Sequence, residues 1–140
     1  MILLDTDTVS LLLRTPENYP DLVQRIRQTP GDDIYISAIT VGEVMEGALA
    51  LIRRLQPRDQ ESLGYKLLVE YFQALQTFAI LPYDSEAELR FQEFPARIRR
   101  LGRGDCQIAA IALQNNATVI TRNQRHFSEI SGLKFEDWTQ

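Results

Sequence analysis

The chain has 140 residues, 44% of them hydrophobic, and a formal net charge of −4; this length suits one domain with a full core. No apolar stretch approaches the roughly 20 residues needed to span a bilayer. Met1 leads straight into an apolar strand, without the basic-then-apolar pattern of a secretory signal. A cytoplasmic location away from membranes is therefore expected. The single cysteine, Cys106, and single histidine, His126, exclude a disulfide framework and any multi-cysteine or multi-histidine metal centre.

In chain order, Met1-Ile2-Leu3-Leu4 predicts a first strand at Ile2–Leu4 that runs directly into Asp5-Thr6-Asp7-Thr8. Helical segments follow over 8–14 and 21–28, broken by Pro16 and Pro20. A second strand is expected over 34–36, where β-branched and aromatic residues combine. A long helix over 40–54 is stopped by Pro57, and an amphipathic helix covers 63–78. A third strand at Ala79–Leu81 ends at Pro82. Residues 86–101 read as helical with an irregularity at Pro95, and Asp105 introduces a helix over 106–114. Thr118–Ile120 is a fourth strand, and 133–135 adds an edge strand. Without repeats or linkers, this alternation predicts a single α/β domain over 1–140 with a mostly parallel sheet.

Each acid at these junctions has a structural account. Asp7 suits the N-cap of a helix starting at Thr8. Thr40-Val41-Gly42-Glu43 has the pattern of a capping box, and Asp105 stands where an N-cap belongs. Capping explains Asp5 less well than the others. Jointly the acids say more, because strand ends and helix starts share one edge of a parallel sheet, the edge where ligands bind. Gathered carboxylates resist ionising together. A hard divalent cation, Mg²⁺ or Mn²⁺, bound by Asp5, Glu43 and Asp105 removes that conflict.

Of fifteen basic residues only Lys66 and Lys134 are lysines. The remaining arginines suit phosphate, in RNA, or an acidic protein, and equally suit a bias of genome composition. Arg97, Arg99, Arg100, Arg103 and Arg122 are candidates for phosphate contacts, although Arg97, Arg99 and Arg100 read first as a solvated helix face. Thr6 either orients Asp5 or a water, or caps the turn. His126 reads as structural. Tyr65, Tyr71, Phe72 and Phe78 follow helical spacing and belong to core or dimer surface rather than to a base-stacking platform.

Four stretches, with the closing segment 130–138, carry a family resemblance: Leu3-Leu4-Asp5-Thr6-Asp7, Ile36-Ser37-Ala38-Ile39-Thr40-Val41-Gly42-Glu43-Val44, Asp105-Cys106-Gln107-Ile108-Ala109-Ala110-Ile111-Ala112, and Val119-Ile120-Thr121-Arg122-Asn123. In that order and spacing the chain resembles PIN-domain ribonucleases, specifically VapC-type toxins of bacterial and archaeal toxin–antitoxin pairs. The resemblance implies a three-layer α/β/α sandwich and a metal-dependent endoribonuclease. It places Asp5, Glu43 and Asp105 on the catalytic and metal-binding acids. Asn123 falls on a fourth position that is Asp in many relatives. Asp7 falls where Asn is more frequent, and is kept with Thr6 and Thr121 as a supporting residue. The approach Leu101-Gly102-Arg103-Gly104-Asp105 looks shorter than is usual for the family. Implied partners are an antitoxin, a second copy in a homodimer, and RNA; relatives with a similar Thr-Arg-Asn and Glu-Asp-Trp ending act on tRNA.

Two other functions compete. A non-catalytic PIN-like module that binds RNA or protein is favoured by the neutral Asn123. A haloacid-dehalogenase-like phosphatase would use Asp5 as nucleophile and Asp7 as acid/base. That second family needs a lysine that Lys66 is badly placed to supply, and a carboxylate that Gln107 lacks.

Overall fold

Adjacent residues of an extended strand face opposite sides of a sheet, and Leu3 and Leu4 accordingly enter two separate cores. They lie on β1 (Ile2–Leu4), the middle strand of a five-stranded sheet. The structure is a computed structural model that describes residues 1–55 and 60–140. Its other strands are β2 (Ile34–Ser37), β3 (Ala79–Leu81), β4 (Thr118–Ile120) and β5 (Lys134–Glu136). They are ordered β3-β2-β1-β4-β5, and every pairing is parallel.

Leu3 and Val119 pack with Ala87 and Phe91 of α5 (Ser85–Glu93), Ile98 of α6 (Ala96–Arg99), the apolar side of α7 (Arg103–Asn115) and Phe127 of α8 (Gln124–Phe127). Leu4, Ile36 and Ile120 pack with Val9 of α1 (Thr6–Arg14), Leu22 of α2 (Pro20–Gln28), Val44 of α3 (Ala38–Arg54), Leu75 of α4 (Glu61–Leu75) and Trp138. Helices thus cover both faces, giving the expected three layers. Cys106 is buried, and its thiol donates to the Ile98 carbonyl at 3.2 Å. Burial, with the charge of Asp105, raises its pKa, so it serves as a neutral core donor.

The strands follow the sequence reading within a residue, and the helix starts do not. α1 begins at Thr6 rather than Thr8, and α3 at Ala38 rather than Thr40. α7 begins at Arg103, which puts Asp105 inside its first turn instead of at the cap. Pro95 divides the expected 86–101 helix into α5 and α6, because the ring removes a backbone donor. α4 ends at Leu75, short of the expected Phe78. Pro57, read as the stop of the long helix, lies outside the described residues.

Strand order reverses between β1 and β4, since β1 is followed by β2 on one side while β4 enters on the other. The crevice outside such a reversal is the usual ligand site of an open parallel sheet. Asp5 leaves β1 and Thr121 leaves β4 at that crevice.

Close packing of α3 on α4 rests on Gly64, where a methyl group would come within 2.7 Å of Ile52 Cγ1 and 3.0 Å of Leu55 Cδ1. Gly42 on α3 has nothing within 4 Å of that position. In urea denaturation, Gly64→Ala is expected to lose about 1–3 kcal/mol through overpacking. Gly42→Ala is expected to gain about 0.5–1 kcal/mol by relieving a helical glycine. Equal effects of one sign would contradict the packing described.

Candidate active site

Asp5 is 1% exposed. Its Oδ1 accepts the Thr8 backbone N–H at 2.8 Å, so Asp5, not Asp7, caps α1. The Thr121 hydroxyl is a further hydrogen-bond partner of the carboxylate. Its own N–H donates to the Ile120 carbonyl at 3.1 Å, and Thr8 Oγ1 donates to the same carbonyl at 2.9 Å. These bonds sew the start of α1 to the end of β4. Among the described residues no cation pairs with Asp5. Burial therefore outweighs its hydrogen bonds and pushes its pKa up to about 6, with the charge of Asp7 acting in the same direction.

Glu43 is not a capping-box partner. Ser37 Oγ, at the end of β2, accepts the Thr40 N–H at 3.1 Å and caps α3. Ser37 Oγ donates to Thr40 Oγ1 at 3.3 Å, and Thr40 Oγ1 lies 3.1 Å from Thr6 Oγ1. Thr6 Oγ1 in turn donates to Glu43 Oε1 at 2.7 Å. Because the Thr6 proton goes to Glu43, Thr40 must donate to Thr6, and three hydroxyls run as one chain toward the carboxylate. Glu43 also lies against Gly104, where a methyl would meet its two oxygens at 2.7 and 3.0 Å. That glycine lets the acid approach the residue before Asp105.

Asp105 lies in the first turn of α7. Its Oδ2 accepts from Asn123 Nδ2 at 2.8 Å and lies 3.0 Å from His126 Nδ1. Asn123 Nδ2 is also 2.8 Å from His126 Nδ1. The Asn123 backbone N–H donates to Thr121 Oγ1 at 2.8 Å. One turn after β4 thus ties Asp5, through Thr121, to Asp105, through Asn123. His126 belongs to this group, contrary to its reading as a structural residue. The signal for it was the Asn123-to-His126 spacing on one helical turn directly after a strand.

The donors are carboxylates, hydroxyls and an amide, plus one imidazole, a set whose oxygens suit a hard divalent cation. Asp5, a buried acid without a cation, fits such an ion. Among the described residues, however, no three His, Cys, Asp or Glu side chains are grouped closely enough to ligate one ion. The expected convergence of Asp5, Glu43 and Asp105 on one point is not formed by these side chains. Each acid is satisfied separately, Glu43 by Thr6 and Asp105 by Asn123 and His126.

Asp7 and Arg122 form a two-pronged pair, with Nε to Oδ2 at 2.9 Å and Nη2 to Oδ1 at 3.2 Å. Arg122 Nη1 donates to Tyr19 Oη at 3.1 Å, and the guanidinium lies 5.5 Å from the Tyr19 ring centre. Hydrogen bonding to Asp7 raises the Arg122 pKa. Asp7 is thus neither a cap nor a support for Asp5, and the face of Arg122 that would fork onto a phosphate is occupied. Arg103 is exposed and lies over the Phe91 ring at 4.9 Å. Tyr71 and Phe78 pack against the core, while Tyr65 and Phe72 are exposed.

Comparison with known proteins finds relatives along nearly the whole chain. A family model described as PIN domain matches residues 2–133. Ribonuclease VapC1 of Haemophilus influenzae (strain R2866) is 30% identical over 145 residues, spanning 99% of this chain and 98% of its own. The tRNA(fMet)-specific endonuclease VapC of Salmonella typhimurium is 29% identical over 140 residues, spanning 97% of this chain and 96% of its own. The crystal structure of DNA-bound VapBC from Salmonella typhimurium matches with a TM-score of 0.75 at 25% identity, covering 98% of this chain and 97% of the other.

Because the folded pKa of Asp5 lies near 6, above the ordinary 3.8, the folded protein binds this proton more tightly than the unfolded chain. Stability is then lost as pH rises between those values, and the full penalty stands above the upper one. Asp5→Asn keeps a capping side chain and removes the charge. In chelator at pH 7.5 it is expected to raise stability by about 2–3 kcal/mol, with a much smaller gain at pH 4.5. Equal unfolding midpoints for both proteins at pH 7.5 would refute the burial penalty.

Proposed function

The chain belongs to the PIN-domain family, and we propose that it is the toxin ribonuclease of a toxin–antitoxin pair, one PIN domain over 1–140. It hydrolyses RNA phosphodiester bonds with the help of Mg²⁺ or Mn²⁺. The observation that carries this reading is the buried Asp5 carboxylate at the β1/β4 crevice, joined to Asp105 through Thr121 and Asn123.

Asp5 and Asp105 would hold the cation, with Glu43 beside them. When bound, such an ion supplies a water deprotonated near neutral pH and offsets charge growing on the phosphoryl oxygens. Thr121 orients the Asp5 carboxylate, and Asn123 fixes the rotamer of Asp105 by a direct donor bond. Glu43, exposed and aimed by the Thr40–Thr6 hydroxyl chain, orients the attacking water. The nucleophile is water rather than the ribose 2′-hydroxyl. The substrate class that the VapC relative's name suggests is tRNA. An antitoxin and a second copy of the chain are the protein partners. Among the described residues no helix is long and apolar enough to cross a membrane, and the cytoplasm is the proposed location. The phosphatase reading loses its acid/base, because both oxygens of Asp7 are held by Arg122.

Products are expected to carry 5′-phosphate and 3′-hydroxyl ends, checked by end-labelling; a 2′,3′-cyclic phosphate would sink water attack. Asp5→Asn and Asp105→Asn should each bring cleavage to background, as should chelator. Thr121→Val and Asn123→Ala should lower it about 10–100-fold, the range for residues that orient metal ligands. Gly104→Ala should lower kcat without lowering the unfolding midpoint, since it replaces a helical glycine and displaces only the exposed carboxylate end of Glu43.

A further inference from the structure

The two sides of the crevice differ in charge. On one side an open depression of about 670 Å³ is lined by Asp7, Tyr19, Arg122, Asn123, Asp137 and Thr139. Its acids outnumber its single arginine, and that arginine is already forked onto Asp7. A polyanion gains little there. On the other side the chain from Phe94 to Gly104 carries Arg97, Arg99, Arg100 and Arg103 and no acid, within a protein of net charge −4.

Arg97 pairs with Glu129 at 3.6 Å. Among the described residues Arg99, Arg100 and Arg103 have no ion-pair partner. Arg99 is half-buried, with its Nε enclosed and without an acceptor among the described residues, so its terminal nitrogens are what it can offer a ligand. Arg103 opens α7, the helix end where a cation is disfavoured. Its guanidinium is steadied by the Phe91 ring, two residues before Asp105. Three arginines without an ion-pair partner among the described residues, on the segment that leads into Asp105, suit an anionic ligand that arrives with the substrate.

We infer that Arg99, Arg100 and Arg103 form the surface that binds the RNA backbone, so that substrate reaches Asp105 across the α6–α7 turn and not along the larger depression. This deepens the ribonuclease reading and rests on it. Arginine suits the role because its planar fork matches phosphate oxygens.

The test uses the full chain carrying Asp5→Asn and fluorescein-labelled bulk tRNA, with anisotropy read across a salt series. Adding Arg99→Ala, Arg100→Ala and Arg103→Ala together should weaken binding at least about tenfold and reduce the salt slope by about 2, as expected for three lost phosphate contacts. The single exposed variant Arg100→Glu should move both quantities in the same direction. In the active protein the triple variant should raise KM and leave kcat within about twofold, since these residues grip backbone charge rather than the reacting group. Unchanged Kd and slope would overturn the inference. So would an equal loss from Arg27→Ala with Arg54→Ala, or a larger loss from Arg122→Ala. If the active protein cleaves nothing in Mn²⁺ while binding still depends on the three arginines, the ribonuclease reading fails and the surface stands.

Discussion

A carboxylate enclosed where β1 gives way to α1 is the constraint on which this molecule turns. Asp5 must stop a strand, start a helix and meet the end of β4, and it does so through the Thr8 N–H and the Thr121 hydroxyl. Neither contact carries a positive charge. The group is therefore ionised at neutral pH at a cost that the unfolded chain does not bear, a strain of a kind that proteins retain where chemistry needs it. A capping residue chosen only for stability would be neutral or exposed.

The same economy of position recurs around the crevice. At this edge of a parallel sheet strands end and helices begin, so hydroxyls that cap helices are adjacent to acids at the crevice. Ser37 caps α3 and also heads the hydroxyl chain that ends on Glu43. Asn123 shows why a neutral residue suits its place: an amide donates to Asp105 at 2.8 Å, where a second ionised carboxylate would repel it. With Asn there, the crevice gives Asp105 a donor without adding another acid.

Strand positions were legible because short runs of apolar and β-branched residues stand between helix and turn signals. Helix starts were less so. Thr40 with Glu43 satisfies the capping-box pattern, yet Ser37 offers a hydroxyl three residues earlier, and the burial that decides between them is a property of the folded sheet. Asp5 and Asp7 posed the same ambiguity of register, resolved in favour of Asp5 by the Thr8 N–H. Partners far apart in sequence left no trace at all: nothing in the chain announces that Asp7 will fork onto Arg122, or that Gly104 leaves room for Glu43. The acids were readable as a set at one edge, whereas their individual hydrogen bonds, which keep them from forming a closed cluster, were not.

Net charge is a poor guide to what such a surface attracts. At physiological ionic strength the Debye length is about 8 Å, so carboxylates elsewhere on the molecule are largely screened from a phosphate at the crevice. What that phosphate meets is set by the few charges within reach, and these differ across Asp105. Toward the C-terminal tail the arginine is neutralised by its own partner, while toward α6 the arginines between Phe94 and Gly104 face no intervening acid. An acidic protein can thus present a locally cationic approach to an anionic site. The acids of the crevice would repel RNA unless the proposed cation were bound among them. That repulsion favours a division of labour, in which backbone phosphates remote from the scissile bond are gripped by arginine and only the reacting phosphate enters among the carboxylates.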